Sequence, residues 1–298
     1  MGHQTDTVIS LFGPTAVGKT AVSLALAEVL AAEGIEAVAV SADAFQLYRG
    51  LELLSGAPDA AERERLPHLL VGSHDVGEAM SAGRFAAEAH EAIDGALDDG
   101  RQPVVIGGSG LYMQAALTDL EMRPPVANGT VAVSADGGDV YGQLEEVAPQ
   151  AAAQIDPADR YRAGRALALA QAGDRPEPGD SFWDAPLRHP TIRFGLVRDR
   201  EELYRRIDER VDEMVAAGAA GQVEAVSEAA SPTARRVIGF EELPAGEIDE
   251  MKLRTRRYAK RQMTWTRRLP GARIIDLSAT SDSRAARLIA DSLRERPE

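Results

Sequence analysis

The sequence predicts an α/β protein: a P-loop fold with a doubly wound parallel sheet and an inserted small helical subdomain. Short apolar runs alternate with segments of helical periodicity along much of the 298 residues. A glycine-rich loop joins the first apolar run to the first helical segment, and a largely helical stretch interrupts the alternation later. Strands that alternate with helices form parallel sheets, whose ligands bind at the carboxyl ends of the strands. We therefore expect the functional residues where strands end.

The core elements are predicted from their hydrophobic periodicity and from the glycines that end them. A helix at 200–218 places Leu203, Ile207, Val211 and Met214 on one apolar face. The other core helices are predicted at 20–34 and 82–100. The core strands are predicted at 8–12, 35–44, 102–110 and 192–197.

An insertion separates the third and fourth of these strands. The core is predicted at 1–121 and 192–298, and the insertion at 122–191. Its first part, 122–139, is rich in turn residues and takes no predicted element. Two short helices, separated near Pro157, are predicted within 145–173, and a Pro- and Gly-rich connection at 174–190 returns to the sheet.

Composition narrows the class of protein. The absence of cysteine excludes disulfides, cysteine nucleophiles and thiolate metal sites, and it suits a reducing compartment. No stretch approaches the roughly 20 apolar residues that cross a bilayer, and the first residues do not resemble a signal peptide, so we expect a cytoplasmic protein. The formal net charge of −14 argues against a nucleic-acid partner, but residues 252–273 carry nine basic residues and no acid.

Residues 13–20, GPTAVGKT, fit the phosphate-binding pattern G-x-x-x-x-G-K-[ST] between a predicted strand and a predicted helix. Backbone N–H groups can hold an anion there, Lys19 adds a positive charge, and Thr20 offers a hydroxyl to Mg²⁺. Such loops are typical of ATP-binding proteins, and a chance glycine-rich turn is the alternative. Nucleoside triphosphatases also carry an Asp at the end of a second strand. The strand at 102–110 ends in glycines instead.

Two further residues are candidates for the same site. Asp43 ends the strand that follows the helix after the loop, and its alternative role is that of a helix N-cap or turn residue. Arg210 borders the apolar face of the 200–218 helix. A half-buried Arg in such a position usually meets an anion, and a solvated, snorkelling Arg is the alternative.

The basic segment predicts a helix with two different faces. Met251, Thr255, Tyr258, Gln262 and Trp265 share the packing face. The other face holds Arg254, Arg257, Arg261 and Arg268. Because no acids are interleaved for (i, i+4) pairing, this second face favours contact with a polyanion over a merely solubilising role.

Seven segments, in this order, carry a family resemblance: GPTAVGKT, SADAFQLYRG (41–50), LPHLL (66–70), GGSGLY (107–112), DRYRAGRAL (159–167), RVIGF (236–240) and RRYAKRQMTWTRR (256–268). They resemble the tRNA dimethylallyltransferases, also called tRNA isopentenyltransferases, of the IPP transferase family. The resemblance implies transfer of a dimethylallyl group from dimethylallyl diphosphate to N6 of adenosine 37, next to the tRNA anticodon, with release of diphosphate. It also implies a Mg²⁺ cofactor, and we expect a monomer.

The resemblance further implies residue roles. Asp43 matches the catalytic aspartate that takes the proton of the acceptor amine, Thr20 would hold Mg²⁺, and Ser109 would lie near the substrate adenosine. Diphosphate would be bound by Gly13, Pro14, Thr15, Ala16, Val17, Gly18, Lys19, Thr20 and Arg210. The flipped nucleotide and the tRNA would be bound by Asp43, Ala44, Phe45, Gln46, Tyr161, Arg162, Arg165, Arg236, Gly239, Phe240, Arg257 and Arg261, with Phe240 available for stacking and 122–191 as a shortened tRNA-binding subdomain.

Three positions depart from the family's pattern. Ala44 stands where Ser is usual, Ala57 where Lys is usual, and Glu241 where Lys or Arg is common, which predicts weaker or altered tRNA binding. Three alternative functions stay open: a prenyltransferase that modifies free adenine nucleotides, a small-molecule P-loop kinase, and a tRNA-binding relative without turnover.

Overall fold

The computed structural model describes residues 6–119, 139–153, 155–171 and 185–294. The strands are β1 (Val8–Phe12), β2 (Ala37–Ala42), β3 (His68–Leu69), β4 (Gln102–Gly107), β5 (Thr191–Val197) and β6 (Arg273–Asp276). They form one sheet in the order β3-β2-β4-β1-β5-β6, and every neighbouring pair is parallel. The parallel sheet confirms the predicted α/β class.

The helices of the described residues are α1 (Lys19–Ala32), α2 (Glu52–Ser55), α3 (Ala60–Arg65), α4 (Ala82–Asp98), α5 (Gly110–Leu117), α6 (Val140–Val147), α7 (Pro149–Ala152), α8 (Arg160–Gln171), α9 (Arg200–Ala216), α10 (Ala219–Val226), α11 (Glu242–Ala245), α12 (Ile248–Arg268) and α13 (Asp282–Arg294). Within these ranges we find no helix with the length and apolar character to span a membrane. The helices predicted at 20–34, 82–100 and 200–218 are confirmed to within two residues at each end.

The central strands are buried along their whole length. Every residue of β1 and of β2 is buried, because helices cover both faces of a parallel sheet, and this is why the two strands read as continuous apolar runs. The strand predicted at 102–110 ends three residues early. Gly108 and Ser109 leave the sheet, and Ser109 is the N-cap of α5.

The carboxyl ends of three strands meet at one edge of the sheet. Gly107, the last residue of β4, is level with Phe12 of β1 on one side and with Ala42 of β2 on the other. The N–H of Gly13 donates to the carbonyl of Gly107 at 3.2 Å. The loop after β1 and Asp43 after β2 therefore emerge side by side, where doubly wound sheets bind their ligands.

The C-terminal elements complete the core. β6 pairs with β5 at the edge of the sheet. Ala285, Ala286 and Ile289 of α13 are buried in the same hydrophobic cluster as Leu26 and Leu30 of α1. No element is predicted there from the sequence. The four-residue β6 carries too few positions to show a period, whereas α13 was missed although its buried residues Ala285, Ala286 and Ile289 follow helical spacing.

The chain divides into two compact units, Met1–Leu120 with Ala185–Glu298, and Glu121–Asp184. In the smaller unit, α6, α7 and α8 bury Leu144, Ala152 and Leu167 in a hydrophobic cluster of their own. The smaller unit thus has a core that does not draw on the sheet.

Three helices occupy the part of the insertion where two were predicted. The Asp139 side chain accepts the N–H of Gly142 at 2.8 Å and starts α6 before the predicted helical segment. Pro149 begins α7, because Pro is favoured in the first turn of a helix. The predicted break near Pro157 is confirmed, between α7 and α8. The turn-rich residues 122–138 and most of the connection at 174–190 lie outside the described residues.

Candidate active site

The phosphate loop, residues 13–20, joins β1 to α1 at the carboxyl edge of the sheet. Ala16 and Gly18 have positive φ angles of 61° and 117°, so the chain curls before α1 begins at Lys19. Within the described ranges, no acceptor takes the N–H groups of Gly18, Lys19 and Thr20. Free N–H groups at a helix N-terminus attract an anion. The loop therefore has the geometry of an anion site.

Lys19 brings a positive charge into the loop. Its Nζ donates to the carbonyl oxygens of Gly13 and Pro14, each at 2.9 Å. Burial lowers the pKa of Lys19 to about 8, an effect that the nearby Asp43 carboxylate opposes. Since both hydrogen-bond partners are neutral, the ammonium charge is not neutralised by an ion pair with a described residue.

Arg210 reaches the loop from α9. One Nη donates to Thr15 Oγ1 at 3.1 Å and the other to the carbonyl of Gly56 at 3.1 Å. A Cβ at Gly56 would lie 1.3 Å from the guanidinium, so only glycine leaves room for it. Burial lowers the pKa of Arg210, and Asp43 opposes this effect. The snorkelling alternative is wrong, because the guanidinium is turned toward the loop.

Asp43 follows β2 and faces both cations. Its Oδ1 accepts the N–H of Phe45 at 3.0 Å, so the turn role considered as an alternative is present. Burial raises the pKa of Asp43, while the Phe45 hydrogen bond and the charges of Lys19 and Arg210 lower it. A carboxylate whose pKa is raised by burial is a stronger base than an exposed one.

Two adjoining pockets meet at these residues. Thr15, Ala16, Asp43, Ser55 and Arg210 line both of them. The polar pocket continues along the phosphate loop, and its further lining includes Gly18, Lys19, Thr20, Gln46, Arg206 and Gln262. The apolar pocket continues between α9 and α12, and its further lining includes Phe45, Ile207, Val211, Met214, Val237, Met251 and Tyr258.

Some residues of the site were missed from the sequence. Arg206, one helical turn before Arg210, donates to the carbonyl of Ala16 at 2.9 Å, and Arg198 donates to that of Val17 at 3.1 Å. The (i, i+4) spacing from Arg210 was the signal that could have found Arg206. Gln262 was assigned only to a packing face, yet it accepts a hydrogen bond from the loop.

The first half of the basic helix α12 is neutralised within the chain. Lys252 pairs with Asp212 at 2.6 Å, and Arg256 pairs with Asp208 at 2.5 Å, both acids lying on α9. Arg254 pairs with the buried Glu242. The predicted polyanion-binding face is therefore wrong at Arg254. The sequence could not show this, because the neutralising acids come from other helices.

The second half of α12 keeps exposed cations. Lys260, Arg267 and Arg268 are exposed, and no described carboxylate pairs with them. Arg261 is exposed and lies over the Tyr258 ring, 5.6 Å from its centroid. Arg257 is exposed, with Glu250 at 3.8 Å. The cationic surface predicted for α12 is thus present from Arg257 onward.

The remaining predicted residues lie in different environments. Ser109 makes no capping hydrogen bond and lines neither pocket. Ala44, Phe45 and Gln46 are half-buried. The Gln46 Oε1 accepts a hydrogen bond from the Ser41 hydroxyl at 2.8 Å, and its Nε2 donates to the Gly56 carbonyl at 3.2 Å. Among the residues of the smaller unit, Arg162 and Arg165 are exposed, Arg162 pairs with Asp159 at 3.3 Å, and the Tyr161 side chain lies outside the described residues.

The stacking role expected of Phe240 is wrong. Its side chain is 2% exposed, and the Arg235 guanidinium covers the ring at 5.4 Å from the centroid. Gly239, with φ of 101°, donates its N–H to Glu242 at 2.9 Å and leaves room for Leu54 and Met251. Arg236 beside them is exposed. The turn at 236–240 is therefore packed into the protein through Phe240 and Gly239, while Arg236 gives it a cationic surface.

A family model described as IPP transferase matches residues 46–269. The chain belongs to the IPP transferase family. It is 36% identical over 285 residues to a tRNA dimethylallyltransferase of Salinibacter ruber, which covers 88% of this chain and 86% of the relative. It is 37% identical over 288 residues to a tRNA dimethylallyltransferase of Kineococcus radiotolerans, covering 91% and 90%. The phosphate loop and Asp43 precede the matched range.

Solved structures of IPP transferases share the fold. A tRNA isopentenylpyrophosphate transferase from Bacillus halodurans is 28% identical, with a TM-score of 0.68 over 98% of each chain. A eukaryotic dimethylallyltransferase acting on tRNA is 26% identical, with a TM-score of 0.77 over 98% of this chain and 81% of that one. The P-loop fold predicted from the sequence is thus the fold of the family.

Proposed function

We propose that this protein transfers a dimethylallyl group from dimethylallyl diphosphate to N6 of adenosine 37 in tRNA and releases diphosphate. One observation carries the proposal: Lys19 and Arg210, both held only by neutral oxygens, meet Asp43 where a polar and an apolar pocket adjoin. An anion with a short apolar tail fits this pair of pockets.

The diphosphate belongs in the polar pocket. Lys19, Arg210 and the free N–H groups of the phosphate loop supply charge and hydrogen bonds to it. Burial strengthens each of these interactions, since little water competes with them. The same groups stabilise the negative charge that grows on the leaving oxygen as its bond to carbon breaks.

The dimethylallyl group belongs in the apolar pocket. Ile207 and Val211 of α9, Val237 and Met251 line it, and a branched five-carbon chain gains by leaving water for such a surface. Asp43 lies where the two pockets meet. With the donor bound in this way, the carbon that carries the diphosphate would lie beside the carboxylate.

The reaction follows from this placement. The N6 amine of adenosine attacks the first carbon of the dimethylallyl group, a C–N bond forms, and the C–O bond to diphosphate breaks. The Asp43 carboxylate accepts a hydrogen bond from the amine and takes the proton that the amine loses. The raised pKa of Asp43 suits this role, because a carboxylate of ordinary pKa holds a proton poorly near neutral pH.

The residues present fit a bound Mg²⁺. The described residues hold no cluster of three or more His, Cys, Asp or Glu. Mg²⁺ typically uses one or two protein oxygens together with phosphate oxygens and water. Thr20, at the start of α1, lines the polar pocket and would supply one such oxygen. Mg²⁺ would there neutralise diphosphate charge.

The tRNA meets exposed cations. Lys260, Arg261, Arg267 and Arg268 on α12 suit the phosphates of an anticodon stem-loop, and Arg162, Arg165 and Arg236 are also exposed. The target base must leave its stack to reach Asp43, and Asp43, Phe45 and Gln46 are among the residues that line the two pockets. We assign 122–191 to tRNA binding, Ser109 to the neighbourhood of the adenosine, and the working protein to a cytoplasmic monomer.

The proposal is tested by incubating the protein with labelled dimethylallyl diphosphate, Mg²⁺ and unmodified tRNA, followed by nucleoside analysis. We expect label in N6-dimethylallyladenosine at position 37. Parallel reactions replace the tRNA by AMP, ADP or ATP. Label in the free nucleotides but not in tRNA would contradict the proposal in favour of an adenylate prenyltransferase.

A further inference from the structure

Gln262 of the basic helix α12 reaches into the phosphate loop. Its Oε1 accepts the backbone N–H of Thr15 at 2.9 Å, across 247 positions of the chain. The side chain is 1% exposed, and it lines the polar pocket. A buried amide that joins two distant segments is held in one orientation, because both of its polar ends need partners.

The surroundings of Gln262 fix that orientation. A Cβ at Gly108 would lie 2.2 Å from its Nε2, so the glycine after β4 leaves the space that the amide fills. Tyr258 lies one turn earlier on the same face of α12. The amide is therefore placed by β4 and α12 together.

The Thr15 N–H belongs to the same peptide group as the Pro14 carbonyl. In a trans peptide the N–H and the C=O lie in one plane and point in opposite directions. Gln262 holds the N–H at 2.9 Å, and Lys19 Nζ donates to the C=O at 2.9 Å. Fixing the N–H therefore also fixes the acceptor that orients the Lys19 ammonium.

Thr15 is held through its side chain as well as through its backbone N–H. Thr15 Oγ1 accepts a hydrogen bond from Arg210 at 3.1 Å. Gln262 thus acts on the point of the loop that contacts both cations of the anion site. Without the amide, the half-buried Thr15 N–H would lose its acceptor within the protein, and the peptide would be free to rotate.

We propose that Gln262 is a positioning residue of the diphosphate site: it orients the peptide between Pro14 and Thr15, and through it Lys19. The inference rests on the proposed function, because it assigns diphosphate to the phosphate loop. It goes beyond that function in giving a residue of α12 a role in binding the donor.

Gln262→Met tests this inference, because methionine has a similar length and offers no amide. The probe is inorganic pyrophosphate with Mg²⁺, titrated calorimetrically into the protein without tRNA. We expect the dissociation constant for pyrophosphate to rise roughly fivefold, the effect of one net hydrogen bond. The dissociation constant for an anticodon stem-loop should stay within about twofold of the parent value.

Thr266→Val is the matched control. Thr266 lies one turn later on α12, is 0% exposed, and its hydroxyl donates only to the backbone carbonyl of Gln262 at 2.8 Å. The control should lose stability without losing pyrophosphate affinity. Gln262→Asn serves as a second variant, since it keeps an amide that falls one methylene short of Thr15, and we expect it to bind pyrophosphate as weakly as Gln262→Met.

Three results would overturn the positioning role. They are parental pyrophosphate affinity in both Gln262 variants, equal weakening of pyrophosphate and stem-loop binding, and no pyrophosphate binding by the parent protein. Pyrophosphate binding needs no prenyl transfer, so it separates this inference from the proposed function. A parent protein that binds pyrophosphate but modifies no tRNA would refute the function alone, and the variants would still decide the role of Gln262.

Discussion

The cations of the phosphate-loop pocket and those of α12 carry their charge in opposite surroundings. Lys19 and Arg210 are half-buried and hydrogen-bonded to carbonyl and hydroxyl oxygens. Arg267 and Arg268 are exposed at the end of a helix. Between these extremes, Lys252 and Arg256 are paired with acids of α9.

The two groups of cations differ in how strongly and how specifically they interact with anions. A half-buried cation without a carboxylate partner interacts strongly with one anion at one place, and its partial desolvation shifts its pKa. An exposed cation interacts weakly with any nearby phosphate, and salt screens it. Substitutions in the pocket should therefore have large, specific effects, and substitutions on the helix should have small, additive and salt-dependent ones.

Asp43→Asn should have the largest effect, because it keeps the size of the side chain and removes the base. We expect kcat to fall by about 10²- to 10⁴-fold in single-turnover assays, with stem-loop affinity retained. The parent kcat should decline as pH falls through the raised pKa of Asp43, since only the carboxylate accepts a proton.

Asp99→Asn is the control for Asp43, since Asp99 follows α4, is exposed, pairs with Arg101 at 2.6 Å and lines neither pocket. It should turn over at close to the parental rate. A parental rate in Asp43→Asn would show that the base lies elsewhere.

Arg210→Gln should come second. The loss of a charged hydrogen-bond donor from a half-buried site corresponds to roughly 10- to 100-fold in affinity. We expect this loss as a higher KM for dimethylallyl diphosphate, measured at saturating tRNA. Arg205→Gln is the matched control, because Arg205 lies on the same helix, exposed and paired with Glu209 at 2.7 Å. Equal effects from the two variants would remove Arg210 from the diphosphate site.

The pH profile of kcat/KM for the donor should have a basic limb that is caused by Lys19. Burial lowers its pKa to about 8, so the ammonium charge is lost as pH rises through that value. We expect kcat/KM for the donor to fall about tenfold per pH unit above it. In Lys19→Arg the guanidinium stays protonated, and the limb should vanish even if the absolute rate is lower. A limb that persists in this variant has another source.

The helix cations should have the smallest single effects. Arg267→Gln and Arg268→Gln together should raise the KM for tRNA several-fold and lower the salt slope of binding by up to about 0.7 for each tRNA phosphate that the protein no longer neutralises. Lys252→Gln, which removes a cation already paired with Asp212, should leave the slope unchanged. If Lys252→Gln changed the salt slope as much as the Arg267 and Arg268 substitutions, the ion-paired cations of α12 would contribute to tRNA binding like the unpaired ones.

The sequence predicted the parts of this molecule that local patterns encode. The apolar run at 8–12 and the phosphate-loop motif at 13–20 predicted β1, the loop and the start of α1. Asp43 was predicted from its place at the end of β2. Arg210 was found because it borders the apolar face of its helix. In each case the signal lies within one element or between adjacent elements.

Long-range partners could not be predicted. Glu242 neutralises Arg254, and Gln262 holds Thr15 across most of the chain, and nothing in the local pattern of either residue points to the other. Phe240 shows the same limit, since an aromatic residue next to arginines suits a stacking surface as well as a packed turn. Its burial is decided by the helices around it.

The contacts that hold the phosphate loop can form only late in translation. The residues of the loop are made well before Arg210 and Gln262, which hold it. Ala285 and Ile289 of α13 then close the core against α1. A ribosome-bound fragment that ends before Gln262 therefore carries the anion-binding motif without the contacts that shape it.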